Sequence, residues 1–239
     1  MKNTLARGYI ADWKQTSYTW EPLYLNCLRL TKMPTLPSNL QILFICGNSL
    51  TDLGARPLPI QLKEFHCENN TALASLGPRR LPSTLTVLSC GNCSLTTLGR
   101  LPSKLKILDC TSNPHLILSA PLPPRLRRLA CACAPLCPLP LSLHSFAYYG
   151  SQPLPYALPP NLQLLRAASV HLFTDCTDSP PDTMVAIFLE EESIFSWNSD
   201  QTTDWKTAWA RSAAQAHVRH KLRCRVFSTR LPLSALLFV

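Results

Sequence analysis

Closely spaced cysteines are the residues in this sequence with the clearest potential for chemistry. Cys90 and Cys93 form a Cys-x-x-Cys motif, an arrangement found at zinc sites and in thiol redox centres. Cys131, Cys133 and Cys137 form a second group. Neither group has a convincing set of further ligands, because no second Cys-x-x-Cys motif occurs and the six histidines show no metal-ligand spacing. We therefore expect structural thiols, with no metal, no cofactor and no catalytic residues.

The charge and composition of the chain narrow its functional class further. The net charge of +9 favours anionic partners through long-range attraction. No apolar stretch reaches the roughly 20 residues that a membrane-spanning helix needs, and the first residues lead to no apolar signal segment. In the absence of such a signal, the 11 cysteines favour reduced thiols inside a cell. We expect a soluble, cytoplasmic protein that is not inserted in a membrane.

The sequence contains an internal repeat, marked by the dipeptide Leu-Pro, and this repeat determines where the cysteines lie in the predicted fold. The Leu-Pro pairs that precede successive units are separated by 22, 23, 20, 21, 17 and 19 residues, and the phrases that follow them are similar, as in segments 81–90 and 101–110. A period of this length is the sequence signature of a stacked repeat architecture. In the frame LxxLxLxxNxL the chain has eight units, whose first positions are Trp20, Leu40, Leu62, Leu85, Leu105, Leu126, Leu143 and Leu162.

The fourth and sixth positions of the units are almost all apolar, and the ninth favours asparagine. Apolar residues two apart predict one short strand per unit with both side chains in the core. Cys90 falls at a sixth position and Cys93 at a ninth, so we interpret this motif as core thiols. Asn48, Asn70 and Asn113 occupy ninth positions, where the side chain can satisfy backbone groups of the turn that leaves the strand.

The segments between the predicted strands determine the fold class. A unit of about 21 residues is too short to return through a full helix, and proline fixes φ and removes a hydrogen-bond donor. The sequence therefore predicts a repeat solenoid, a leucine-rich-repeat horseshoe. Its short parallel strands form a concave face, and its backs are extended and polyproline-like.

The two ends of the chain lack this pattern. We predict an N-terminal cap over residues 1–19, repeats over 20–172, a linker over 173–182 and a small helical C-terminal cap over 183–239. Residues 183–197 could be helix or strand, whereas Thr203 or Asp204 can begin a helix. The basic residues at the end of this helix either complement its dipole or form a secondary patch for an anionic partner; they are Arg219, Lys221, Arg223 and Arg225.

The repeat units resemble the LPX-type leucine-rich repeats of bacterial effectors of the YopM and invasion-plasmid-antigen kind, and of giant-virus proteins. The resemblance covers about residues 20–172 and implies a curved recognition scaffold that acts in a host cytoplasm, although most units lack the second Leu-Pro of the effectors. Ubiquitin ligases with similar repeats use a Cys-x-Asp nucleophile, which Cys176-Thr177-Asp178 matches. Only 61 residues follow Asp178, fewer than the helical catalytic domain of the ligases needs. The resemblance thus favours binding over catalysis.

Outward-facing residues of the strands are the candidates for binding. Aromatic residues exposed on a rigid sheet are the usual anchors of protein recognition, and charged residues help to select the partner. The candidates on the concave face are Tyr24, Phe44, His66, Glu68, Lys106, Asp109, Arg127, Tyr149 and Arg166.

These observations favour a non-enzymatic scaffold for protein–protein interaction, acting as an adaptor or as a host-directed effector, with a protein ligand that has an acidic region. Two alternatives stay open at this stage. The basic C-terminal helix, together with Lys106 and Arg127, would suit a nucleic acid, and a steep salt dependence of binding to generic RNA or DNA would favour that role. A structural component of a virion or particle is the other alternative, which copurification would reveal.

Overall fold

The computed structural model describes residues 2–15, 21–77, 81–133, 135–152, 158–167 and 186–189. Within these residues one helix precedes nine short strands, all parallel and all in a single sheet ordered as they occur in the chain. The elements are α1 (Lys2–Gln15), β1 (Leu23–Tyr24), β2 (Ile42–Phe44), β3 (Glu64–His66), β4 (Val87–Ser89), β5 (Ile107–Cys110), β6 (Arg128–Cys131), β7 (Ser145–Tyr148), β8 (Leu164–Ala167) and β9 (Ala186–Leu189). The predicted solenoid is thereby confirmed, with one strand from each unit.

The strand register places equivalent repeat positions side by side. Leu43 pairs with Phe65 and Phe65 with Leu88, so each fourth position lies beside the next. The fourth positions from Leu23 to Leu165 and the sixth positions from Leu25 to Ala167 are all buried. This burial confirms the predicted register, because a shift of one residue would turn the whole apolar set to the opposite face.

Three buried asparagines each connect their unit to the one before it. The amide of Asn48 donates to the carbonyl oxygens of Leu25 and Ile45, both at 2.9 Å, while its oxygen accepts the backbone N–H groups of Leu28 and Leu30 at 3.0 Å. Asn70 and Asn113 make the equivalent contacts in their own units. The role predicted for the ninth position is therefore confirmed.

Cys93 occupies the ninth position where the other central units have asparagine. Its thiol lies 3.6 Å from the carbonyl oxygen of Cys67, the group that an asparagine amide would reach in this unit. A thiol is a weaker donor than an amide and has no second N–H to offer. Cys93 therefore makes only part of the hydrogen bonds that an asparagine would make here, with a smaller and more apolar side chain.

The Leu-Pro dipeptides mark turns that lead into the strands. In seven successive units the proline carbonyl accepts the N–H of the first-position leucine three residues later, as from Pro59 to Leu62 at 3.0 Å and from Pro102 to Leu105 at 3.1 Å. Between the strands, the described return segments contain neither helix nor strand. Proline suits the start of these turns because only its carbonyl is needed there.

The ends of the solenoid are covered differently. Helix α1 packs on β1 through Ala6, Ile10 and Trp13, which are buried in the common core, and the indole of Trp13 donates to the carbonyl of Glu21 at 2.8 Å. At the other end β9 pairs with β8, so Ala186–Leu189 forms a strand in the region where the sequence left helix and strand open.

The linker predicted at 173–182 and the basic helix predicted from Thr203 lie outside the described residues. Among those described, no helix is long and apolar enough to span a bilayer.

Replacing a core leucine at the centre of the array tests the packing. Leu108→Ala should lower the free energy of unfolding by about 2 to 5 kcal/mol, because the side chain leaves a cavity that its neighbours fill only in part. Denaturant unfolding measures this loss. The control is Ile117→Ala, whose side chain is 57% exposed, and which should change stability by less than about 0.5 kcal/mol. A cost for Leu108→Ala below about 1 kcal/mol would contradict a packed centre.

Candidate binding face

The concave face, which we define by the third, fifth and seventh repeat positions, brings together most of the candidate residues. Side chains alternate along each strand, so these three positions point away from the buried fourth and sixth positions. Parallel strands about 4.8 Å apart then stack equivalent positions in columns. The second position lies just before each strand and forms one rim of this face, where the amides of Arg127 and His144 continue the ladder of hydrogen bonds.

Three aromatic rings stack in the fifth column of the first three units. The rings of Tyr24 and Phe44 have centroids 5.0 Å apart, and those of Phe44 and His66 are 4.2 Å apart and tilted by only 7°. Tyr24 is 56% exposed, while Phe44 and His66 are half-buried. We call these rings the aromatic column; its first two members, both candidates from the sequence, lie on the neighbouring strands β1 and β2.

A network around Glu68 supports the aromatic column from the side. The Cys46 thiol donates to Glu68 Oε2 at 2.6 Å, and His66 Nδ1 lies 3.7 Å from Glu68 Oε1. On the opposite side of the ring, His66 Nε2 lies 3.7 Å from Glu64 Oε2. His66 is thus held between a stacked ring and two carboxylates.

These contacts shift the titration of both Glu68 and Cys46. Burial raises the pKa of Glu68, but contacts with His66, Cys46 and Ser89 more than offset it and lower the pKa to about 2. Burial, reinforced by the Glu68 carboxylate, raises the pKa of Cys46 to about 12. Near neutral pH the carboxylate is therefore charged and the thiol keeps its proton, so Cys46 acts as a donor and not as a nucleophile.

The middle of the face carries small side chains. Ser89, Gly91, Ala130 and Ala132 occupy fifth and seventh positions there, and a Cβ added to Gly91 would lie 3.0 Å from Thr111 Oγ1. Asp109 accepts the backbone N–H and the hydroxyl of Thr111 at 3.0 and 2.8 Å. We call this lower region, between the aromatic column and Tyr149, the trough.

The far end of the face is basic. The Arg166 guanidinium carbon lies 5.7 Å from the centroid of the Tyr149 ring, within the range of a cation–π contact. Lys106 and Arg127 are exposed on the rim. Within the described part of the chain, both ion-pair contacts involve His66, so Lys106 and Arg127 are without an acidic partner there.

Sequence reasoning missed the third repeat position. Arg128, exposed at the start of β6, and Glu64, at the start of β3, both lie on the concave face in this position. The signal was present, because a strand with inward fourth and sixth positions must also direct its third position outward. The secondary basic patch at Arg219, Lys221, Arg223 and Arg225, like Cys176, lies outside the described residues.

The cysteines of the sixth column are part of the core. Cys67, Cys90 and Cys110 are buried and free, and burial raises the pKa of each thiol well above its usual range. A hydrogen bond from the Cys131 thiol to Cys133 raises the pKa of the first and lowers that of the second. In the described residues, no three His, Cys, Asp or Glu side chains are grouped so that they could hold a metal ion.

Comparison with known proteins gives likenesses to solved structures and no relative in sequence. No protein family matches the chain, and no curated protein matches it either. Among solved structures, the chain is similar to YopM from Yersinia enterocolitica WA-314, with 23% identity and a TM-score of 0.39 over 79% of this chain. The match spans 55% of the YopM chain.

Acid unfolding tests the Glu68 network. Because the pKa of Glu68 lies at about 2, below its ordinary value of 4.5, the carboxylate contributes stability that is complete above about pH 5 and is lost as the pH falls towards 2. Glu68→Gln should remove this contribution, so that its free energy of unfolding falls less steeply with acid than that of the wild type. Urea unfolding at several pH values measures both slopes.

The matched control is Glu64→Gln, the same substitution four residues earlier, at a carboxylate that the Cys46 thiol does not contact. This variant keeps the bond from Cys46 to Glu68, so its free energy of unfolding should fall more steeply with acid than that of Glu68→Gln. Equal slopes for the wild type and Glu68→Gln would show that the contacts with His66, Cys46 and Ser89 do not hold the carboxylate in its charged form.

Proposed function

We propose that this chain is a non-enzymatic recognition scaffold whose concave face binds a protein. The aromatic column supports the proposal most directly, because Tyr24, Phe44 and His66 present ring surface from strands that hold them in place. Large, rigid aromatic side chains lose little conformational entropy on binding and often carry most of the binding energy. A partner would meet a surface already arranged for contact.

The charges at the far end favour a partner with an acidic region. Lys106 and Arg127 are exposed and lack ion-pair partners among the described residues, so an approaching carboxylate would not have to displace an existing contact. Charges at the rim of an interface mainly accelerate association and select between partners. We assign them this role, with the aromatic column supplying most of the affinity.

The proposed setting is a reducing cytoplasm, and the proposed role is that of an adaptor or a host-directed effector. Stacked free thiols at Cys67, Cys90 and Cys110 support such a compartment, because an oxidising one favours disulfides. Their burial and raised pKa values also suit packing better than thiol chemistry. Binding, rather than catalysis, is therefore the activity that we propose.

Truncation of the central ring tests this function. Phe44→Ala should weaken binding to a protein partner by about 1 kcal/mol or more without unfolding the chain, since it removes an anchor and half of each stacking contact. Calorimetric titration with the purified partner measures the loss, and circular dichroism checks the fold.

A control for this substitution lies away from the concave face. Ile60→Ala removes an apolar side chain that is 76% exposed in a return segment, and it should leave binding unchanged. Binding that is lost in Ile60→Ala and kept in Phe44→Ala would place the contact on the return segments and contradict the proposal.

A further inference from the structure

The two ends of the concave face carry opposite charge. Glu64 and Glu68 stand on and just after β3, whereas Arg128 stands on β6 with Arg127 beside it on the rim and Arg166 on β8. Neither Arg127 nor Arg128 makes an ion pair with another described residue. The face therefore changes from negative to positive along the solenoid axis.

Nearby charges of the other sign weaken this polarity without reversing it. Lys63, exposed on the rim beside Glu64, offsets one of the two carboxylates. Asp109 lies between the two ends. Its Oδ1 accepts hydrogen bonds from the backbone N–H and the hydroxyl of Thr111, so this oxygen is already used within the chain. One uncompensated negative charge therefore remains near β3. From β5 to β8 the face has four basic residues against one acidic residue, Asp109; the basic residues are Lys106, Arg127, Arg128 and Arg166.

The trough between these ends is lined mostly by small side chains. Its floor has Ser89 and Gly91 on one side and Ala130 and Ala132 on the other, which project little from the sheet, with the larger Asp109 and Thr111 between them. From β3 to β6 the strands advance by three spacings, about 14 Å, which about four residues of extended chain would span. The larger His66 and Tyr149 side chains stand at the two ends of this floor.

Resting on the proposed function, we propose that the trough binds an extended segment of the protein partner in one polarity, with a basic side chain at Glu64 and Glu68 and an acidic side chain at Arg127 and Arg128. A basic group at the first end would also lie near the edge of the aromatic column, where a guanidinium can pack on a ring. The reverse orientation would bring like charges together at both ends, which costs binding energy and so selects against it.

Peptide selection with charge exchange tests this polarity. A displayed library of random peptides of about 12 residues, longer than the trough needs, is selected on the full chain at physiological salt. Selected peptides should carry a basic and an acidic residue about four positions apart. Arg128→Glu should lower the affinity for each selected peptide about three- to tenfold, and changing the acidic residue of the peptide to lysine should restore binding to this variant.

The same exchange is made at the other end. Glu64→Lys should weaken peptide binding, and changing the basic residue of the peptide to glutamate should restore binding to this variant. A change at the acidic residue of the peptide should not restore it. Glu64 is chosen over Glu68 because Glu68 also binds Cys46. The control variant is Arg100→Glu, exposed in a return segment, which should bind every selected peptide as the wild type does.

The outcomes separate this inference from the proposed function. Peptides that lose affinity in Phe44→Ala but show no rescue by charge exchange would overturn the polarity and leave the concave face as the binding surface. Peptides unaffected by Phe44→Ala, Glu64→Lys and Arg128→Glu alike would overturn both. If no peptide is selected while oligo(dT) binds with an affinity that depends on Arg128, the basic end serves a nucleic acid and the inference is wrong.

Discussion

No single unit of this chain can bury its own inward side chains, and this constraint governs the rest of the structure. A strand of two to four residues, such as β2 or β5, has too little surface to form a core alone. Each unit gains its burial from the units on either side, and the ninth-position asparagines connect neighbouring units by donating side-chain hydrogen bonds to backbone carbonyls of both. Helix α1 packs on β1 and buries its inward side chain in place of a neighbouring repeat. The regular stacking is thus a consequence of shared burial.

The same stacking supports the recognition role that we propose for the outward surface. Because the inward positions fix the register, the outward residues of successive strands lie at a constant spacing, and similar residues form columns. The aromatic column exists because three aromatic side chains fall at the fifth position of consecutive units. The core thus pre-organises the proposed binding face, so a partner would not need to order it.

The residues that the sequence placed correctly are those governed by periodicity. Burial of Leu88 and Leu108, the role of Asn70 and the proximity of Tyr24 to Phe44 all follow from a repeat frame and the alternation of a strand. The bond from Cys46 to Glu68 does not follow, because it depends on the rotamers of two side chains on different strands. The strand at Ala186–Leu189 escaped a firm prediction because periodicity alone does not separate a short apolar strand from a helix.

Side-chain footprinting of the chain with and without its tightest-binding selected peptide tests the central claim, that recognition takes place on the concave face. Hydroxyl radicals label exposed aromatic and aliphatic side chains, so mass spectrometry can compare both surfaces in one sample. We predict that Tyr24, Phe44 and Tyr149 lose labelling in the complex, while Ile60 and Leu141, which are exposed outside the strands, keep it. Protection of Ile60 and Leu141 with unchanged labelling of Phe44 and Tyr149 would contradict the account.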